Sequence, residues 1–224
     1  MKKFSCVFLA LIGFGLTSMV FAEETKATAE ESVLVLKYQN NKEYITLQNS
    51  VARAPDVVEF FSFYCPHCYD FETKYKIPGK IQDNLPDNKK MTKYHVDFMG
   101  GLSSELSEAW AVAVVLGVDD KVGPKIFDGI HQKRNLKSTN DIVKIFEEVG
   151  ISKADFESAK QSTSVQIWKE KQAKAIEQFE VNSVPTFYVN GKYLVNSGGL
   201  NMSKPFDEQF SDIVNFLLVK DNNK

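Results

Sequence analysis

The stretch DVVEFFSFYCPHCYDFE, residues 56–72, decides the fold. Its first half, DVVEFFSF (56–63), is almost wholly apolar and rich in Val and Phe, which suits a strand covered on both faces. Its second half places Cys65 and Cys68 with two residues between them, with Pro66 suited to the first helical position and Cys68, Phe71 and Tyr75 falling on one side at helical spacing. The expected helix runs from Cys65 to Ile77 and ends at Pro78 and Gly79. A cysteine pair is thus expected at a strand-to-helix turn.

Cysteine usage narrows its meaning. The chain has three cysteines and opens MKKFSCVFLALIGFGLTSMVFA, two lysines leading a short apolar run with small residues at Val20 and Ala22 before Glu23. This reads as a cleaved secretory leader over residues 1–22 rather than a membrane anchor, so Cys6 leaves with it. Export moves Cys65 and Cys68 into an oxidising compartment, where a disulfide persists. Composition agrees with a soluble domain: 43% of residues are hydrophobic, and 27 basic against 29 acidic side chains give a net charge of −2. Loss of Lys2 and Lys3 makes it about −4, which gives no footing for nucleic acid.

Outward from the motif, ETKATAEES (24–32) is a polar lead-in. KMTKYHVDF (90–98) alternates and reads as a strand with Thr92, Tyr94, Val96 and Phe98 on one face. From Leu102 to about Phe179 the pattern is helical, with stops at Gly117 and Gly150, a break at Gly123 and Pro124, and a capping box at Ser152 and Asp155. PTFYV, the turn Asn190-Gly191 and KYLV form a hairpin signal, and PFDEQFSDIVNFLLVK (205–220) an amphipathic helix. The order is a βαβ unit joined to a ββα unit through a helical insertion. A CxxC at the first strand-to-helix turn of such a pattern reads as thioredoxin-like.

VEFFSFYCPHC, KMTKYHVDFMGG, AWAVA, VPTFYVNGKY and the helical insertion together resemble the DsbA family of bacterial periplasmic thiol oxidases over nearly the whole mature chain. The fold class is therefore α/β, a thioredoxin fold with an inserted helical domain: residues 23–97 and 173–224 form the thioredoxin-like parts and 98–172 the insertion.

The chemistry follows from the residues. A disulfide closing so short a loop is a weak staple, worth roughly 2 kcal/mol of chain entropy against almost 5 for a loop of about 100 residues. A thiolate at a helix start faces unpaired N–H groups and the positive end of the dipole. Stabilising the thiolate stabilises the dithiol form and makes the protein's own disulfide an oxidant. Cys65 is expected to be the exposed nucleophile and Cys68 the shielded resolving residue. His67 adds a charge or hydrogen bond beside Cys65, or is a solvated first-turn histidine. His95 and His131 carry no motif and read as structural.

Glu59, in an otherwise apolar strand, is expected to be buried, either paired with Lys93 from the neighbouring strand or protonated. The resemblance places an acid and a lysine at these positions beneath the active site and matches Glu72 to a further acid. Proton handling for Cys68 and a merely structural ion pair stand as equal readings for Glu59, and Glu72 reads more simply as a solvated helix residue. The resemblance also implies that the Val184-Pro185 bond is cis and lies against the cysteines, leaving the Val184 backbone to pair with an extended client. It implies that Met99, Gly100, Gly101 and Leu102 border an apolar groove for peptides.

Rival readings are weaker. A structural zinc site needs four ligands, and no second cysteine pair exists. Covalent haem needs a histidine after the second cysteine, where Tyr69 stands. A disulfide isomerase or reductase of the same fold, and a non-enzymatic holdase, remain as alternatives. The resemblance implies a monomeric enzyme without bound cofactor or metal, whose clients are reduced or unfolded exported proteins. The resemblance also implies reoxidation by a DsbB-type membrane quinone reductase.

Overall fold

The computed structural model describes residues 37–201 and 203–220. The leader at 1–22, Cys6 and the polar stretch at 24–32 lie outside the described residues. Five strands form one sheet: β1 (Tyr44–Thr46), β2 (Val57–Phe61), β3 (Met91–His95), β4 (Thr186–Val189) and β5 (Tyr193–Val195), in the order β1-β5-β4-β2-β3. Among the pairs these described strands make, only β2–β3 is parallel. That pairing requires a crossover, supplied by α1 (Pro66–Thr73) and α2 (Ile77–Asn84). All five residues of β2 are buried, as its unbroken apolar character requires of a strand covered on both faces.

Between β3 and β4 run α3 (Ser103–Leu116), α4 (Asp119–His131), α5 (Thr139–Glu148), α6 (Lys153–Lys160) and α7 (Thr163–Gln178), and α8 (Phe206–Val219) closes the described chain. Phe61 and Phe63 join Leu106, Trp110, Phe127 and Phe146 of the helical block in one buried cluster that also holds Cys65 and Cys68. Val58 and Phe60 point into a second cluster with Tyr94, Phe179 and Tyr188. Strand alternation thus gives one sheet face to the insertion and the active site. β3 is an edge strand, and the helical block caps it with side chains. Gln172 Oε1 accepts the His95 N–H at 3.1 Å, and the Trp110 indole donates to the Lys93 carbonyl at 2.9 Å.

The hairpin forms as expected: Val189 pairs with Tyr193, the Lys192 N–H closes the turn on the Val189 carbonyl at 3.0 Å, and Asn190 (φ 53°) and Gly191 (φ 63°) between them are both left-handed. A Cβ at Gly191 would collide with the Val51 carbonyl. Gly117 (φ 67°) ends α3. Ser152 caps α6 by accepting the Asp155 N–H at 3.1 Å, while its hydroxyl donates to the Asp155 carboxylate at 2.6 Å.

Three expectations are corrected. The helix after the cysteines ends at Thr73, and Pro78 with Gly79 opens α2 instead of closing α1; Lys76 turns left-handed (φ 52°) and Pro78 occupies the first turn, where its missing N–H costs nothing. Gly123 and Pro124 lie inside α4 rather than at a break. An interior proline costs a helix about 3 kcal/mol. Val122, Ile126 and Phe127, all buried, each return about 1.5–3 kcal/mol, so the helix continues. The second strand stops at His95, and Phe98 is 48% exposed in the following loop. β1 carried too few residues to show a pattern. α7 runs unbroken from Thr163 to Gln178.

Candidate active site

Cys65 sits immediately before α1 in extended conformation (φ −81°, ψ 116°), with Pro66 opening the helix. Its position is fixed by the turn before it: the Cys65 N–H donates to the Ser62 carbonyl at 3.1 Å and the Tyr64 N–H to Ser62 Oγ at 3.2 Å. The Cys68 N–H, an orphan donor of the first helical turn, points at Cys65 Sγ at 3.2 Å. The Val184-Pro185 bond is cis, and the Val184 carbonyl lies 3.5 Å from Cys65 Sγ. Pro66 and His67 face solvent. Both cysteines are unbridged thiols, 3% and 1% exposed. Cys65 is therefore recessed, contrary to the expectation of an exposed sulfur, because the Val184 loop and the helical block close over it.

The two sulfurs differ in charge state more than in exposure. The Cys65 thiol is drawn from 9.0 down to about 6. The hydrogen bond from the Cys68 thiol contributes most; the backbone N–H groups of Cys68 and His67 and the His67 charge add to it, and burial opposes them. The Cys68 thiol is pushed strongly upward, first by burial, then by its bond to Cys65, that residue's charge and Glu59. One motif therefore holds a stable thiolate beside a thiol that keeps its proton.

Beneath the pair, Glu59 and Lys93 are register partners across β2 and β3. Lys93 Nζ lies 3.4 Å from Glu59 Oε2 and 2.5 Å from Glu72 Oε2. Glu59 is 2% exposed, and its Oε2 has no hydrogen-bond partner. Burial raises its carboxyl to about 7 against the attraction of Lys93, with Glu72 and Cys65 adding to the rise. Burial works against the Lys93 charge, but the two carboxylates outweigh it and hold the ammonium above its usual range. Glu72, expected to be solvated, is instead the nearer partner of Lys93. It follows Cys68 by one helical turn and so faces the sheet. A cavity of about 320 Å³ is lined by Glu72, Lys93, Trp110 and Asp119, joining this charge cluster to the surface.

Met99, Gly100, Gly101 and Leu102 form the loop beside Tyr64. Gly100 has φ 90°, and a Cβ there would overlap the Tyr64 ring. Two histidines that sequence reasoning left as structural touch the active-site backbone. His95, fully buried, accepts the Phe63 N–H on Nε2 at 3.1 Å; its Nδ1 therefore carries the proton, toward Ser107 Oγ at 2.7 Å. Burial drives its pKa down to about 3. His131 Nε2 donates to the Phe63 carbonyl at 2.8 Å. Neither contact had a sequence signal, since each joins residues more than 30 positions apart. Among the described residues no cluster of His, Cys, Asp or Glu is arranged to hold a metal, and no helix is long and apolar enough to cross a membrane.

Residues 56–204 match the family model for the DSBA-like thioredoxin domain. The thiol:disulfide interchange protein DsbA of Dickeya dadantii is 45% identical over 183 residues, covering 81% of this chain and 88% of that protein. The protein of the same name from Yersinia pestis is 40% identical over 191 residues, 84% of this chain and 92% of its own. The crystal structure of Klebsiella pneumoniae DsbA superposes with a TM-score of 0.78 at 38% identity, covering 81% of this chain and 98% of that one. A cysteine-to-serine variant of Proteus mirabilis DsbA, solved with a non-covalently bound peptide PWATCDS, superposes with a TM-score of 0.79 at 40% identity, covering 82% and 99%. With its cysteine pair at the start of α1 in a thioredoxin fold that carries a helical insertion, the chain belongs to the DSBA-like thioredoxin domain family and is a thiol:disulfide oxidoreductase.

Proposed function

We propose that the protein is an exported thiol oxidase that donates the Cys65-Cys68 disulfide to reduced, newly translocated proteins in the periplasm. The observation that carries this is the Cys68 N–H aimed at Cys65 Sγ, together with a Cys65 thiol held far below its usual range. A client thiolate attacks Cys65 Sγ, the bond to Cys68 Sγ breaks, and Cys68 leaves and takes up a proton. A second client thiolate then attacks the client sulfur of the mixed disulfide and expels Cys65 as a thiolate. Two electrons pass from the client to the cysteine pair. The second step is favourable because its leaving group is already stabilised.

Glu59, poised near 7 and electrostatically coupled to both sulfurs, is the proton source for Cys68 in this reading, with Lys93 and Glu72 setting its charge. His67 tunes the thiolate, and Pro66 presents the helix start. The peptide bound to the Proteus mirabilis relative supports a peptide client, and in this reading the client strand lies along Val184 and Pro185, beside Cys65 Sγ. Residues 1–22 serve as a cleaved leader, residues 98–172 as the insertion between the thioredoxin-like parts, and a DsbB-type quinone reductase returns the pair to the disulfide.

The test is oxidation of a reduced dithiol peptide by the mature protein and its variants. Cys65→Ser is expected to abolish turnover, and Cys68→Ser to accumulate a client adduct on Cys65 that reductant releases. Protection of unfolded clients undiminished in Cys65→Ser, with no oxidation by the parent protein, would contradict the reading.

A further inference from the structure

α4 delivers two side chains to the cysteine motif from one helical face, since residues 127 and 131 are one turn apart. Phe127, 2% exposed, packs edge-on against Phe63 with ring centroids 4.9 Å apart. His131 does more. Its Nε2 lies 2.8 Å from the Phe63 carbonyl, which only accepts, so that nitrogen carries hydrogen. The same imidazole stacks on Tyr69 at 4.7 Å and 22°. Phe63 stands just before Cys65 and Tyr69 just after Cys68. One side chain of the helical insertion therefore grips both flanks of the motif. Neighbouring Gln132 reinforces it, donating to the Tyr69 hydroxyl at 2.8 Å. On the opposite side His95 holds the Phe63 N–H at 3.1 Å, so both backbone groups of Phe63 are bound by imidazoles, one from the sheet and one from the insertion.

We propose that His131 is a positioning residue for the redox pair, fixing the strand-to-helix turn in the geometry that aims the Cys68 N–H at Cys65 Sγ. The inference rests on the oxidoreductase reading above and assigns the helical insertion a part in setting oxidising strength. A hydrogen bond to a charged acceptor weakens steeply as its angle and distance degrade, so thiolate stability depends on how firmly this turn is held. Phe63 and Tyr69 are the two handles by which α4 holds it. Losing either handle loosens the N–H groups around Cys65, raises its pKa and makes the disulfide less oxidising. A side chain that only filled space would lower the stability of both redox states alike and leave the equilibrium between them untouched.

Three variants of the full mature protein separate the contacts. His131→Gln keeps a donor for the Phe63 carbonyl and loses the stack on Tyr69; His131→Phe keeps the stack and loses the donor; His131→Ala loses both. The measurements are the ultraviolet titration of the Cys65 thiolate, the equilibrium with glutathione, and melting of the oxidised and reduced forms. The expected result is a raised Cys65 pKa and a glutathione equilibrium shifted by about threefold or more toward the oxidised protein in His131→Ala, equivalent to about half a pKa unit. His131→Gln and His131→Phe should fall between it and the parent. Gln and Phe variants with the parent's titration and equilibrium, whether or not melting of both forms drops together, overturn the proposal. If the parent protein itself shows an ordinary Cys65 titration, the oxidase reading fails instead, and the two failures are distinct.

Discussion

The backbone N–H of Cys68 points at Cys65 Sγ at 3.2 Å and joins the hydrogen bond of the Cys68 thiol in drawing the Cys65 thiol down to about 6, while burial pushes the Cys68 thiol upward. The helix that begins at Pro66 has unpaired N–H groups in its first turn, and Cys65, as the residue before it, receives one of them where other helices use an oxygen. The same helix carries Cys68 inward, where burial keeps its proton in place. Reactivity here is a by-product of capping: the chemistry needs a negative cap, and a thiolate supplies it.

His67 contributes a backbone N–H and a charge to that cap. His67→Ala keeps the first and removes the second. The Cys65 titration should move up by about half to one pKa unit, and the glutathione equilibrium by about three- to tenfold toward the oxidised protein. An unchanged titration would reduce His67 to a solvated first-turn residue.

Glu59 has a folded-state pKa of about 7 against an ordinary 4.5, so the folded protein keeps a proton that the unfolded chain releases between those values. The cost to stability is absent below about 4.5, grows as pH rises and is complete above about 7. Glu59→Gln removes it while Lys93 keeps Glu72 as a partner. Across that window the variant's unfolding free energy, measured in urea on the oxidised form, should gain about 3 kcal/mol relative to the parent. A constant difference at all pH values would show that Glu59 is ionised throughout.

His95 behaves in the opposite sense. Its pKa is lowered from 6.5 to about 3, so the unfolded chain binds a proton that the folded protein refuses, and stability is lost as pH falls through that window. His95→Gln should flatten the acid limb of stability against pH by about one proton, or about 1.4 kcal/mol per pH unit, whatever it costs at neutrality. Parallel acid limbs in parent and variant would place the acid sensitivity elsewhere.

Gly100 brings the loop beside Tyr64 into contact. Its φ of 90° is one that side chains rarely adopt, and an added Cβ would overlap the ring, so Gly100→Ala must displace Tyr64 or the loop. Destabilisation of about 1–3 kcal/mol and weaker peptide turnover, read as a raised KM, are expected. A variant with the parent's stability and KM would show that loop and ring are not tightly coupled.

Much of this arrangement is legible in the chain because its signals are local. The apolar run Val57–Phe61, the proline after Cys65 and the Asn190-Gly191 turn each state their geometry within a few residues. The buried acid in β2 pointed to Lys93 on the neighbouring strand, and the family resemblance implied the cis proline. What could not be read depended on distant packing. Pro124 continues a helix because its neighbours are buried, Pro78 begins one because Lys76 turns left-handed first, and Glu72 faces inward because α1 lies on the sheet above Lys93. His131 has no motif at all. Its role exists only because α4 lies against the turn at Phe63.

The most direct test is the comparison of melting temperatures of the reduced and oxidised forms by calorimetry as a function of pH. Cys65 is depressed in the folded dithiol, so the stability it contributes is fully present above the ordinary thiol value of 9.0 and is lost as pH falls through about 6. The account predicts that the reduced form melts higher than the oxidised form at about pH 8, with the gap closing as pH drops toward about 6. An oxidised form that melts higher throughout would mean the protein holds its disulfide rather than giving it away.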